Sequence, residues 1–292
     1  MSVRDNLRIE SIKENKGMKS TKQKVYIAIA VAMIVMSLGL IFYQKITGKT
    51  LAEGKSGTRV FAGPITELTL DIGSCEIEVI EADTTDVTVV YSNLSGSLSD
   101  HCEGGKASLT YKGHTSGFIS NLFGGRKESG TITVTIPKDA CFDRAAFEFG
   151  AAEVKINGLQ AKKLHIAVGA GEVTATDICA TEKASLEVGA GEFTAKGVDL
   201  KNASLQCGVG SMEIEGLIEG KSSIDCGVGS VEAVIRADES DYSGTLDCGI
   251  GEVVFGSTTI DGIGSKKTVA TDAKHSFDVD CGIGEVSVRF KK

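Results

Sequence analysis

A six-residue motif returns six times in the second half of the chain and limits what that half can fold into. It reads apolar, Gly-x-Gly, Glu or Ser, apolar: VGAGEV at 168–173, VGAGEF at 188–193, CGVGSM at 207–212, CGVGSV at 226–231 and CGIGEV at both 248–253 and 281–286. Weaker copies stand at 149–154 (FGAAEV) and 72–77 (IGSCEI). From Gly150 the first glycines follow at Gly169, Gly189, Gly208, Gly227, Gly249 and Gly282, at intervals of 19, 20, 19, 19, 22 and 33 residues. A period near 19–20 is too short for the common helical repeats and lacks their apolar spacing. The leucine-rich signature is missing as well. The period suits one coil of a β-solenoid with two or three short strands per turn. The two long intervals are expected to hold enlarged turns at 236–244 and 256–275, on one side of the coil.

In LEVGAGEFTA, Leu186, Val188 and Ala190 share one parity, and Phe193 and Ala195 share the other. A slip of one residue moves side chains to the opposite face of a strand. Each Gly-x-Gly therefore reads as a corner that keeps apolar residues inward, with glycine supplying a positive φ. The corner glycines are Gly169 and Gly171, Gly189 and Gly191, Gly208 and Gly210, Gly227 and Gly229, Gly249 and Gly251, and Gly282 and Gly284. Positive φ is expected at first glycines such as Gly189 and Gly208. The middle residues Ala190 and Val209 are expected to act through packing. The segments LHIAV, SLEV, SLQC, SIDC, TLDC and FDVDC then stack as one parallel sheet.

Thirty-six glycines against 2 prolines, with no Gly at every third position, exclude collagen and a Pro-rich stalk. Upstream of the repeats, ITELTLDI, CEIEVIEA, DVTVVYS, KASLTYK and TITVTIP alternate as strands do. Residues 117–126 (GFISNLFGGR) form an apolar insertion, read as a lid on the end of the solenoid or as a loop that touches a partner or membrane.

Val25 to Tyr43 run 19 residues without a charge. As a helix they extend about 28 Å, close to the apolar thickness of a bilayer. No small-x-small cleavage site and no lipid-attachment cysteine follow, so an uncleaved transmembrane helix is expected. Residues 1–24 carry seven Lys/Arg against three acids, which places this tail in the cytoplasm. The expected organisation is a basic tail (1–24), a membrane helix (25–43), a juxtamembrane linker (44–63) and an extracytoplasmic solenoid (64–292). Beyond the tail, 24 basic residues face 36 acidic ones, a surface that repels nucleic acid and anionic lipid.

No motif carries an evident chemistry. The Gly-x-Gly copies lack the third glycine and following helix of a nucleotide site, so neither nucleotide nor any other cofactor is expected. Six glutamates share one motif slot: Glu76, Glu153, Glu172, Glu192, Glu252 and Glu285. They read as solvated turn residues, or as a weak divalent-cation ladder with Glu172, Glu192, Glu252 and Glu285 as candidate ligands. Ser211 and Ser230 interrupt the series. The eight cysteines form no Cys-x-x-Cys. Four of them, Cys207, Cys226, Cys248 and Cys281, take the slot held by Val168 and Val188 elsewhere and read as buried free thiols. The four histidines are scattered, and none is assigned a catalytic role.

The GAGEV and GIGEV corners, the TVTIPKDACFD segment at 133–143 and the closing CGIGEVSVRF resemble the bacterial "putative adhesin" β-strand-repeat family over roughly residues 64–292. That resemblance implies a β-solenoid and a cell-envelope role, sometimes beside envelope-stress systems, and brings no catalytic residues. The expected function is a non-catalytic, membrane-anchored surface that binds a wall component or a protein. A sensor subunit acting through a membrane partner and a polysaccharide-active β-helix enzyme are the alternatives.

Overall fold

The computed structural model describes residues 54–113, 130–269 and 273–291. The basic tail, the apolar stretch 25–43 and the insertion at 117–126 lie outside them. Among the described residues no helix is long and apolar enough to cross a membrane.

The described chain is all β apart from one short 3-10 turn at Glu239–Asp241. Its strands are β1 (Lys55–Phe61), β2 (Glu67–Ile72), β3 (Glu76–Ala82), β4 (Val87–Leu94), β5 (Ser97–Glu103), β6 (Lys106–Lys112), β7 (Thr131–Pro137), β8 (Cys141–Lys201), β9 (Ala203–Glu219), β10 (Lys221–Ile235), β11 (Tyr242–Phe255), β12 (Thr258–Val269) and β13 (His275–Phe290). At 61 residues β8 is far longer than a straight strand. It winds around the solenoid, and its glycines show the pitch. Gly169 lies over Gly150, and Gly189 over Gly169. Coils of 19–20 residues therefore stack in parallel register, with matching positions about 4.8 Å apart.

The weaker motif copies are rungs of the same stack. β2 pairs in parallel with Arg144–Phe149 of β8, and β3 with Glu153–Asn157. β6 and β7 then add in parallel to β2 and β3. At this end β5 pairs β6 antiparallel, β4 pairs β7 antiparallel, and β1 closes the edge on β4. Inside the coils like stacks on like. Leu186, Leu205, Ile224, Val279 and Leu246 form one buried ladder in register. Each such side chain contributes about 1.5–3 kcal/mol by leaving water.

The rungs do not stack in chain order. β13 lies between β10 and β11, parallel to both, so Cys281 faces Cys226 on one side and Cys248 on the other. The interval from Gly227 to Gly249 exceeds the two before it by three residues, which carry the chain past the level that β13 fills. The longer interval that follows is not a mere enlarged turn. Residues 258–269 fold back as β12, antiparallel on β11, before the chain returns as β13.

The expected linker 44–63 also overlaps a strand, because β1 occupies 55–61, and residues 44–53 lie outside the described ones. Both corrections have one cause. β1 buries only Phe61 and β12 only Ile260, so each is held by backbone pairing and shows no apolar alternation. Such polar strands at both ends, with Lys266 and Lys267 on β12, blunt the edges against further strand addition.

Candidate binding face

The Gly-x-Gly corners build the most distinctive surface of the protein. In every intact copy the second glycine has positive φ, between 131° and 144° at Gly171, Gly191, Gly210, Gly229, Gly251 and Gly284. The first glycines do not, contrary to the expectation for Gly189 and Gly208. They are small for another reason: a Cβ on Gly208 would stand 2.6 Å from the carbonyl oxygen of Gly189 on the next coil. The backbone reversal at the second glycine also turns the middle residue outward. Ala190 is exposed, and Val209 is 55% exposed rather than packed.

These middle residues form a line. Ala190 pairs with Val209, Val209 with Val228, Val228 with Ile283, Ile283 with Ile250 and Ile250 with Ile263. Val228, Ile283, Ile250 and Ile263 are 47%, 51%, 53% and 85% exposed. The ridge thus holds five of the seven exposed large apolar residues among the described ones, the other two being Val60 and Val90 on the edge pair β1 and β4. Five rungs span about 19 Å at a strand spacing of about 4.8 Å. Scattered exposed aliphatics are ordinary on a protein surface, but a continuous file is not.

Beside the ridge runs an open groove of about 690 Å³. Its floor is the file of first glycines, Gly189, Gly208, Gly227, Gly282 and Gly249, and its outer wall is Glu187, Gln206, Asp225, Asp280 and Asp247. The wall is in register: Asp225 pairs with Asp280, Asp280 with Asp247, and Asp247 with Lys266, which forms an ion pair with it. Partial desolvation and the like charges of Asp225, Asp278 and Asp247 raise the pKa of Asp280.

Under the floor lie Cys207, Cys226, Cys281 and Cys248, all buried and free. Cys75 is also buried and free, whereas Cys102 and Cys141 are exposed. Burial pushes Cys226 and Cys75 up to about 12 from 9.0 and raises Cys207 and Cys281. Such thiols stay protonated at neutral pH and are poor nucleophiles. A maleimide at pH 7.5 should therefore label Cys102 and Cys141 in the native chain, and Cys226 and Cys281 only after denaturation. Rapid native labelling of Cys226 would contradict this burial. The folded state holds these protons above the unfolded thiol value. Stability from this source is complete below pH 9 and falls as pH rises from 9 toward 12. Urea midpoints measured from pH 7 to pH 10.5 should show that fall.

The glutamate slot runs along the far side of the ridge. Gly191 stacks over Gly171, which puts Glu172 and Glu192 on consecutive coils, and Glu252 pairs with Glu285. All four are exposed. Among the described residues no group of three His, Cys, Asp or Glu is arranged to hold a metal ion.

Two features escaped the sequence reading. The Asp225–Asp280–Asp247 row depends on β13 lying between β10 and β11. A second corner, at Gly158, Asp177 and Gly197, repeats with the same period and positive φ, and the 19 and 20 spacing could have revealed it.

A family model described as Toastrack DUF4097 matches residues 65–258, from just before β2 to the start of β12. The chain belongs to this family. Toastrack DUF4097 accounts for the glycine corners through Gly251, and β13 lies beyond the matched stretch. No curated protein matches the chain. Among solved structures it is similar to a "putative cell adhesion protein" from Clostridium sporogenes, with 14% identity, 81% of this chain and 100% of that chain covered, and a TM-score of 0.34. A "putative adhesin" from Bacteroides fragilis has 13% identity, covering 80% and 97%, at a TM-score of 0.34. A "putative lipid binding protein" from Parabacteroides distasonis has 14% identity, covering 82% and 98%, at 0.33.

Proposed function

We propose that this Toastrack protein is a non-catalytic envelope protein, anchored by residues 25–43, whose ridge-and-groove face binds a wall component or protein outside the cell. The observation that carries the reading is the in-register file Val209, Val228, Ile283, Ile250 and Ile263, exposed at every rung. A file that size loses water favourably only against a partner. The groove beside it is lined by carboxylates, one amide and a file of glycines over buried thiols, which supports a binding face.

Retention of the full-length chain on envelope fractions tests the face. Val228→Ser with Ile283→Ser should abolish retention while leaving the melting temperature unchanged, and equal retention would remove the proposal. The anchoring has its own test. Protease shaving of intact cells should digest a C-terminal tag and spare an N-terminal one, and the reverse pattern would invert the topology.

A further inference from the structure

We infer that the occupant of this face is a polypeptide segment carrying lysine or arginine side chains beside exposed aliphatic ones. This rests on the reading of the ridge and groove as the binding face and names its partner. The apolar file alone would accept any greasy surface, but the groove wall narrows the choice. Asp225 and Asp280 stand next to one another in register, and among the described residues neither has an ion-pair partner. Their carboxylates border the ridge along its middle rungs. A second copy docked ridge to ridge about a two-fold axis would bring the same carboxylates face to face, and anionic lipid headgroups would meet the same repulsion. A neutral glycan would find no aromatic platform, since the ridge is aliphatic throughout.

The protein already displays the complementary chemistry on the rung next to Ile250. There β12 lays Ile263 against Ile250, extending the ridge, and three residues later sets Lys266 on Asp247, completing the acidic wall. Asp225 and Asp280 occupy the matching wall position on the two rungs inward from Asp247; Lys266 acts on Asp280 only from beyond ion-pair distance, and neither carboxylate has a lysine paired on it. A docked segment with the same pairing of aliphatic and cationic side chains would satisfy both rows. The ridge, about 19 Å long, accommodates roughly six residues of extended chain or roughly 13 of a helix.

The test uses the full-length chain in zwitterionic-lipid nanodiscs and a fluorescent peptide of three tandem copies of Ile-Gly-Ser-Lys, the sequence of residues 263–266. Fluorescence anisotropy at physiological ionic strength should show saturable binding that empty nanodiscs lack. Asp225→Asn with Asp280→Asn should weaken it about tenfold or more, and Val228→Ser with Ile283→Ser should do the same. Removing the same charge elsewhere, by Glu182→Gln with Asp199→Asn, should leave it unchanged. A peptide with serine in place of isoleucine should bind at least about tenfold more weakly. Equal binding of the serine peptide, or equal loss in the Glu182/Asp199 control, would overturn the inference by reducing binding to overall charge. Absence of peptide binding would overturn it too. If envelope fractions were then still retained in a Val228- and Ile283-dependent way, the face would stand as a binding face and only the partner class would fall.

Discussion

Gly210→Ala is expected to destabilise the solenoid by about 3–5 kcal/mol, from backbone strain together with overpacking. Two independent costs meet at this position. Its φ of 131° lies where an L-residue is strained. A Cβ there would also enter the van der Waals shell of the Gly191 carbonyl oxygen on the neighbouring coil. That oxygen belongs to backbone held in register between Gly171 and Gly210, so it has little room to retreat. Gly208→Ala should cost less, about 1–3 kcal/mol, because only the crowding applies. Val209→Ser, between them, should stay within about 0.5 kcal/mol because the side chain is in water. Urea titrations of the three variants give the ranking. A Gly210→Ala variant as stable as Val209→Ser would remove this account of the corner.

The ranking also marks where the sequence was legible. Period, parity slip and glycine pairs point to a stacked coil with corners, because these reflect the repeating geometry of one coil. The division of labour within a corner was not legible. Whether Gly208 or Gly210 bears the positive φ depends on how the chain reverses, and both look identical in a string of letters. The same holds for the ridge. Leu186, Val188 and Ala190 alternate perfectly, yet the bend ends the alternation one residue early and sends Ala190 and Val209 outward. Burial follows the backbone path, and the apolar letters alone do not show it. β1 and β12 were hidden for a different reason, since an edge strand is stabilised by its neighbour's backbone and need not advertise itself in side chains. The acidic wall was out of reach altogether. Asp225, Asp247 and Asp280 become neighbours only when the last rung takes the place between two earlier ones.

That rung order has a consequence larger than the glycine effect. Ending the chain before His275 removes β13, and with it Phe277, Val279, Val286 and Val288, each at most 2% exposed. Lost burial of about 1.5–3 kcal/mol per side chain sums to a large share of a typical domain's stability of about 5–15 kcal/mol. It also strips the parallel partner from β10 and from β11 together. Stability in a stacked repeat is close to a sum of neighbouring interfaces, so the damage should stay near the break. Amide hydrogen exchange of the truncated chain should show residues 242–269 without protection and residues 141–219 still protected. The near-identity of the motifs supplies the competing outcome, for CGIGEV of β11 could take the vacant place of CGIGEV of β13 on β10. Direct re-pairing would have to shorten the path through Glu239–Asp241, which is tied down by the Tyr242 hydroxyl donating to the carbonyl of Ile218 at 2.9 Å and by Glu239 accepting from Ser257 at 2.8 Å. Those contacts favour the native placing of β11 two levels from β10. Full protection of 242–269 after truncation would mean that the motif, and not these anchors, sets the order of the rungs.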